Sequence, residues 1–147
     1  MPLNTLEDLR AGKLAGSRRL KLVCGLSEFP RDIFALAETL EILDLSGNAL
    51  TALPDDLARL HKLRILFCSD TAFTELTAVL GRCAALEMVG FKSNRIGSVP
   101  AAALPSRLRW LILTDNQLTE LPPEIGRCTR LQKLMLAGNL LKALPPE

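Results

Sequence analysis

Apolar residues return at a regular spacing along most of this chain. Five stretches that begin with leucines align with one another at steps of 23, 23, 22 and 23 residues, starting at Leu40, Leu63, Leu86, Leu108 and Leu131. The first six positions of each stretch alternate between core-type and other residues, as in LEILDL from Leu40. Because alternation with period two is typical of a β-strand, we expect one short strand in every repeat.

Stacking of the repeats follows from the shortness of these strands. A short strand cannot bury its apolar face alone, so successive repeats stack and share one core. We therefore predict an α/β fold, a right-handed solenoid with a parallel β-sheet on its concave face and short helices or turns on its convex side. Residues 40–147 hold four full repeats and one incomplete repeat, residues 16–39 a degenerate first repeat, and residues 1–15 a capping helix that begins at Asn4 or Thr5.

An asparagine follows the predicted strand in four of the five repeats. These residues are Asn48, Asn94, Asn116 and Asn139. The chain leaves the strand there with its backbone groups buried, and an asparagine amide can both donate to and accept from such groups. The second repeat has Thr71 instead, whose single hydroxyl offers less, so we expect that turn to be less well bonded and looser.

Residues that alternate with the core positions point to the opposite face of the sheet, and many of them are apolar. The residues that we predict to contact a partner are Ile42, Asp44, Ile65, Phe67, Met88, Lys92, Trp110, Ile112 and Met135. Apolar surface clusters commonly mark interfaces, and tryptophan is enriched among residues that dominate binding energy. Two alternatives remain open: either stacking across strands only stiffens the sheet, or a neighbouring domain or a second copy covers the cluster.

Charge and apolar run length limit the kinds of partner. The chain has 18 Lys and Arg against 16 Asp and Glu, a net charge of +2, which predicts no attraction to nucleic acid or to an anionic membrane. The first 20 residues mix charges among the leucines, unlike a signal peptide. No segment approaches the roughly 20 apolar residues of a membrane span.

The polar residue types that carry chemistry are few and scattered. Four cysteines, at Cys24, Cys68, Cys83 and Cys128, lack the short spacing of metal ligands or of a redox pair. We predict that they are mostly small buried apolar groups in a cytoplasmic protein. His61 has no catalytic partner at an equivalent repeat position, so we expect no enzyme activity, no metal and no cofactor.

The chain ends at Glu147, part-way through a repeat and without a polar capping element. Terminal repeats normally need such a cap. Either the last strand edge is exposed, with a risk of self-association, or this sequence continues in a longer protein, and we favour the longer protein.

Two resemblances follow from the repeat sequences. LEILDLSGN, LRILFCSD, LRWLILTDN and LQKLMLAGN resemble the L-x-x-L-x-L-x-x-N-x-L pattern of leucine-rich repeats, in their intracellular 23-residue class. With the opening LEDLRAGKLAG they are also similar to the N-terminal regions of bacterial proteins in which leucine-rich repeats precede a protein-kinase-like domain.

The two resemblances imply related functions. The first implies a non-catalytic module that binds a protein partner, or a neighbouring domain of the same protein, through its concave face. The second implies a segment that presents substrate to a serine/threonine kinase-like domain or regulates it. These 147 residues contain no glycine-rich nucleotide loop and no V-A-I-K, H-R-D or D-F-G motif, so the catalytic domain itself would lie elsewhere.

Overall fold

The computed structural model describes residues 4–141. Six three-residue strands form one parallel sheet whose spatial order is the order of the chain. They are β1 (Arg19–Lys21), β2 (Ile42–Asp44), β3 (Ile65–Phe67), β4 (Met88–Gly90), β5 (Trp110–Ile112) and β6 (Lys133–Met135). The predicted α/β solenoid with one strand per repeat is confirmed.

Short helices connect the strands on the other side of the core. One α-helix, α1 (Leu6–Arg10), precedes the sheet. The connections contain 3₁₀ helices at Arg31–Leu36, Leu57–Arg59, Ala78–Arg82, Ala101–Ala103 and Pro123–Arg127. Leu57 and Leu80 are fully buried and Ile125 is 6% exposed, so these residues anchor the convex side to the core.

The strands pair in the register that the repeat alignment predicts. Leu43 lies opposite Leu66, which in turn lies opposite Val89. All three side chains are fully buried, and their flanking residues point away from the core. Between them and the convex helices runs one apolar core shared by neighbouring repeats, in which the rings of Phe73 and Phe91 meet edge to face at 5.0 Å.

The N-terminal segment covers one end of the sheet. Thr5, not Asn4, caps α1, because its hydroxyl oxygen accepts a hydrogen bond from the Asp8 amide at 3.0 Å. Asn4 instead pairs with the edge of β1. Its backbone N–H donates to the Lys21 carbonyl at 2.8 Å, and its side-chain Oδ1 accepts from the Lys21 backbone N–H at 2.9 Å. The helix is shorter than predicted, since Leu14 lies beyond its end; residues 1–3 lie outside the described part.

The third repeat is one residue shorter than the others, and its convex segment lies close to the preceding one. A Cβ atom at Gly81, in the helix Ala78–Arg82, would overlap the carbonyl oxygen of Ala102 in the next helix. The equivalent position of the first repeat is Ala58, which faces a repeat of full length. Gly81 is therefore required by the close approach of two backbones.

Candidate functional site

Three columns of side chains cover the face of the sheet that points away from the core, which we call the concave face. The first column is Arg19, Ile42, Ile65, Met88, Trp110 and Lys133; the second is Lys21, Asp44, Phe67, Gly90, Ile112 and Met135. By the same alternation the third is Val23, Ser46, Ser69, Lys92, Thr114 and Ala137. All nine predicted contact residues therefore lie on one face.

The apolar members of these columns are half-buried rather than fully exposed. Ile42, Ile65, Met88 and Trp110 lie side by side on neighbouring strands and cover one another, whereas Met135 on the last strand is 47% exposed. Stacking of this kind contributes to the stability of the sheet. It also leaves an apolar strip that a partner could cover.

Phe67 makes a specific contact within the molecule. A Cβ atom at Gly90, its neighbour on β4, would lie only 2.7 Å from Cδ1 and 3.1 Å from Cε1 of the Phe67 ring. Gly90 is buried because this ring covers its backbone. The packing of Phe67 on Gly90 thus directly supports a structural role for this ring.

A shallow pocket opens at the middle of the first column. Ile65, Met88 and Trp110 form its apolar part, and the charged side chains of Arg64, Glu87 and Arg109 form its rim. On the other side of the tryptophan, the Lys133 ammonium lies 4.6 Å from the ring centroid, a cation–π contact. The pocket therefore combines an aromatic surface with charges of both signs.

The rim belongs to a row of charges that sequence reasoning missed. We call it the edge row; it occupies the position before each strand and consists of Arg18, Glu41, Arg64, Glu87, Arg109 and Gln132. Each charged member is paired with its neighbours, at 3.5 Å for Arg18–Glu41, 3.3 Å for Arg64–Glu41, 3.0 Å for Arg64–Glu87 and 3.4 Å for Arg109–Glu87. The alternation of sign at one repeat position was the signal that could have revealed it.

The pairing within the edge row shifts the pKa values of its central members. Hydrogen bonds from Arg64, and more weakly from Arg109, hold the pKa of the Glu87 carboxyl below its usual value. The bond to Glu87 in turn raises the pKa of the Arg64 guanidinium. The Glu87 carboxyl is therefore ionised at neutral pH.

The predicted asparagines form a ladder at the opposite end of the strands. Asn116 is 6% exposed; its Nδ2 donates to the carbonyls of Phe91 at 2.9 Å and Leu113 at 3.0 Å. Its Oδ1 accepts from the amides of Asn94 at 3.2 Å and Ile96 at 3.0 Å. Each asparagine thus bonds backbone groups of its own turn, and the structure adds that it also joins this turn to the preceding repeat.

Thr71 is the weak member of this ladder. Its hydroxyl donates to the Cys68 carbonyl at 3.2 Å and also lies within hydrogen-bond distance of Asn94 Oδ1. Within residues 4–141 no hydrogen bond joins its side chain to the backbone of the preceding repeat, which confirms the predicted loss of bonding. The residue before the ladder position has a positive φ in each of the five repeats from Leu40 onward. In the first repeat this residue is Gly47, with a φ of 78°, and in the second it is Asp70, with a φ of 51°.

Family models of leucine-rich repeats match two parts of the chain. A model described as Leucine Rich Repeat matches residues 39–60, and a model of two copies, Leucine Rich repeats, matches residues 106–146. The chain is a leucine-rich-repeat protein. The asparagine ladder occupies the Asn position of the repeat pattern L-x-x-L-x-L-x-x-N-x-L.

Solved structures of other leucine-rich-repeat proteins share the fold. A leucine-rich-repeat protein of Leptospira interrogans has 25% identity and a TM-score of 0.64, over 84% of this chain and 38% of its own. An internalin from Listeria monocytogenes has 22% identity and a TM-score of 0.69, over 86% of this chain and 36% of its own.

A plant structure is also similar to the chain. It is the leucine-rich-repeat ectodomain of the membrane receptor kinase GASSHO1/SCHENGEN3 from Arabidopsis thaliana, solved in complex with Casparian strip integrity factor 2. Identity is 31% and the TM-score 0.71, over 94% of this chain and 17% of the plant one. This leucine-rich-repeat protein thus spans well under half the length of each of these three relatives.

Other chemistry is sparse in the described part of this leucine-rich-repeat protein. Burial raises the pKa of the Cys83 thiol to about 11 and that of the fully buried Cys68 still further, so both thiols stay protonated. Residues 4–141 bring together no three His, Cys, Asp or Glu side chains that could hold a metal ion. Over the same residues, no helix combines the length and the apolar character needed to cross a membrane.

Proposed function

We propose that this chain is a non-catalytic module that binds a protein partner through its concave face. The observation that carries the proposal is the pocket of Ile65, Met88 and Trp110, at the middle of the sheet and open to solvent. Aromatic and methionine side chains supply large, adaptable contact areas, and central positions dominate the energy of most interfaces.

Two further observations support this proposal. Leucine-rich repeats are a non-catalytic repeat type that commonly mediates protein–protein interaction. The plant ectodomain, similar over most of this chain, was solved with another molecule bound to it. The nine predicted concave residues are accordingly proposed as contacts, with Trp110 and Met88 at the centre and Phe67 contributing chiefly through its packing on Gly90.

The test uses three forms of the protein: the parent, Trp110→Asp, and Val23→Asp as the matched control. Val23 is 44% exposed and lies at the N-terminal end of the third column, away from the pocket. Each form is immobilised and used to capture proteins from a lysate of the native host, and circular dichroism establishes that all three are folded. The captured protein is then purified and titrated against each form by calorimetry.

We expect a protein that binds the parent and Val23→Asp with equal affinity and Trp110→Asp at least tenfold more weakly. Burying the new carboxylate against an apolar partner would cost about 1.4 kcal/mol or more, which is that tenfold change. Equal binding to all three folded forms would show that the pocket is not the recognition site.

A second candidate function is that of a substrate-recognition or regulatory segment of a larger bacterial serine/threonine kinase-like enzyme. It rests on the similarity of the repeats and of the opening LEDLRAGKLAG to such proteins. Determining the full transcript that encodes this segment tests it. A reading frame with the H-R-D and D-F-G motifs would support this candidate, and a frame without any kinase motif would exclude it.

We also propose a cytoplasmic location. It is supported by four free cysteines, two of them buried thiols that no disulfide engages. Fractionation of native cells tests the location.

We further propose a capacity for self-association. It is supported by the edge at β6, where Leu140 is 63% exposed and Leu134 and Leu136 are only half-buried. Sedimentation velocity of the parent against Leu140→Asp tests the association, which the variant should weaken.

A further inference from the structure

The charges of the molecule are distributed unequally between its faces. The three concave columns and the edge row together contain seven Lys or Arg and three Asp or Glu residues, a net charge of +4. The whole chain has a net charge of only +2, so the remaining residues carry −2 between them. The concave side is therefore basic and the rest of the molecule is slightly acidic.

Most of the acidic charge on the concave side is already paired. Glu41 and Glu87 bind the arginines of the edge row, and Asp44 lies 3.9 Å from the Lys21 ammonium. Within residues 4–141, neither Lys92 nor Lys133 has a carboxylate within ion-pair distance. Lys133 lies beside the pocket, with its ammonium over the Trp110 ring, and Lys92 lies farther along the face; both side chains are exposed.

The positions of the two lysines relative to the pocket constrain what could bind there. Lys133 lies on the strand next to Trp110, one inter-strand spacing of about 4.8 Å away. Lys92 follows Met88 by four residues along the chain, which is roughly 13 Å in extended backbone. An extended segment with its apolar side chain in the pocket would thus meet one ammonium close by and the other about four residues away.

We propose that the concave face binds an acidic, extended segment of its partner, in which one apolar side chain fills the pocket, a carboxylate beside it pairs with Lys133 and another about four residues along pairs with Lys92. This inference rests on the proposed binding function and names the class of partner. The pocket rim holds two arginines and one glutamate, a net charge of +1, so it does not repel an acidic segment. A basic segment would instead bring like charges to the two lysines and be disfavoured.

Trp110 makes the test direct, because it is the only tryptophan of the chain and lies in the pocket. The probes are two ten-residue peptides without aromatic residues, one with a central leucine flanked by glutamates and one with lysine in place of each glutamate. Both are titrated into the protein while the emission of Trp110 is followed. We expect the acidic peptide to bind at least tenfold more tightly at low salt and to weaken as salt is added.

Charge-reversal variants locate the effect. Lys92→Glu combined with Lys133→Glu should remove or reverse the preference for the acidic peptide. The matched control, Lys62→Glu combined with Arg127→Glu, makes the same change of net charge at two exposed sites off the concave face and should leave the preference intact. Circular dichroism establishes that both double variants are folded.

Three results would overturn the inference. The first is equal binding of the two peptides, or binding of neither, and the second is an unchanged preference in the Lys92 and Lys133 variant. The third is equally effective competition by an RNA oligonucleotide, which would indicate a general polyanion surface.

Failure of this inference is distinguishable from failure of the proposed binding function. If a captured protein depends on Trp110 but the acidic preference is absent, concave recognition stands and only the partner class is wrong.

Discussion

The two ends of the strands carry two side-chain ladders that cross the sheet in parallel, one of buried amides and one of exposed charges. In the amide ladder, Asn94 is 8% exposed and its Nδ2 donates to the carbonyls of Cys68 at 2.8 Å and Phe91 at 3.0 Å. In the edge row, the equivalent Arg64 and Glu87 side chains are 48% and 28% exposed. The two ladders have the same period and different surroundings.

This difference in burial decides what each ladder contributes. A buried backbone group without a partner costs about 1–3 kcal/mol, so an amide that satisfies several such groups contributes far more than its own bonds suggest. An exposed ion pair is worth roughly 0–1 kcal/mol, because water and salt solvate its charges when it is broken. The amide ladder therefore accepts few residue types, whereas the edge row tolerates the uncharged Gln132 at its end.

The largest effect is expected for Asn116→Ala. The change leaves the carbonyls of Phe91 and Leu113 and the amides of Asn94 and Ile96 without this partner in a buried turn. We expect the free energy of unfolding to fall by about 3 kcal/mol or more, measured by urea denaturation.

Gln117→Ala is the control for this substitution, since Gln117 is the exposed neighbour of Asn116. It should change stability by less than about 0.5 kcal/mol. If the two variants lost similar stability, the amide ladder would contribute no more than an ordinary loop residue and the comparison would fail.

A smaller effect of opposite sign is expected for Thr71→Asn. An asparagine there can accept from the Leu50 amide, as Asn94 accepts from the Phe73 amide at 3.1 Å one repeat later. Completing the ladder should raise the free energy of unfolding by about 1 kcal/mol. Thr74→Asn, at an exposed site of the same repeat, should bring no gain; a loss of stability in Thr71→Asn would mean that the present hydroxyl bonds are the better arrangement.

The predictability of the two ladders from sequence differs for the same physical reason. Few residues satisfy a buried turn, so the asparagines recur by identity, and with them the strand positions and the register could be predicted. The edge row is constrained only in charge, and its paired residues lie about 23 positions apart in the chain. A scan for local motifs therefore missed it. The contact of Phe67 with Gly90 was also missed, because a glycine on a concave column looks like an empty position until its neighbour is seen to fill it.

The smallest effect is expected for Glu87→Gln, which removes the charge between Arg64 and Arg109 while keeping the shape of the side chain. We expect a loss of about 0.5 kcal/mol at pH 7 and low salt, and almost none in 1 M NaCl. Because the pKa of Glu87 is lowered in the folded protein, its contribution is present above the usual value of 4.5 and disappears as pH falls through the folded value.

Urea denaturation at several salt concentrations and pH values measures this dependence for the parent, for Glu87→Gln and for the control Glu120→Gln, an exposed glutamate with no ion pair in the described residues. The parent and Glu87→Gln should converge in stability once the pH falls below the lowered pKa of Glu87, while the parent and Glu120→Gln should have similar stability at each pH. If Glu87→Gln lost about 2 kcal/mol or more of unfolding free energy and this loss persisted in high salt, the edge row would stabilise the fold about as much as the buried amides do. Exposure would then not be what separates the two ladders.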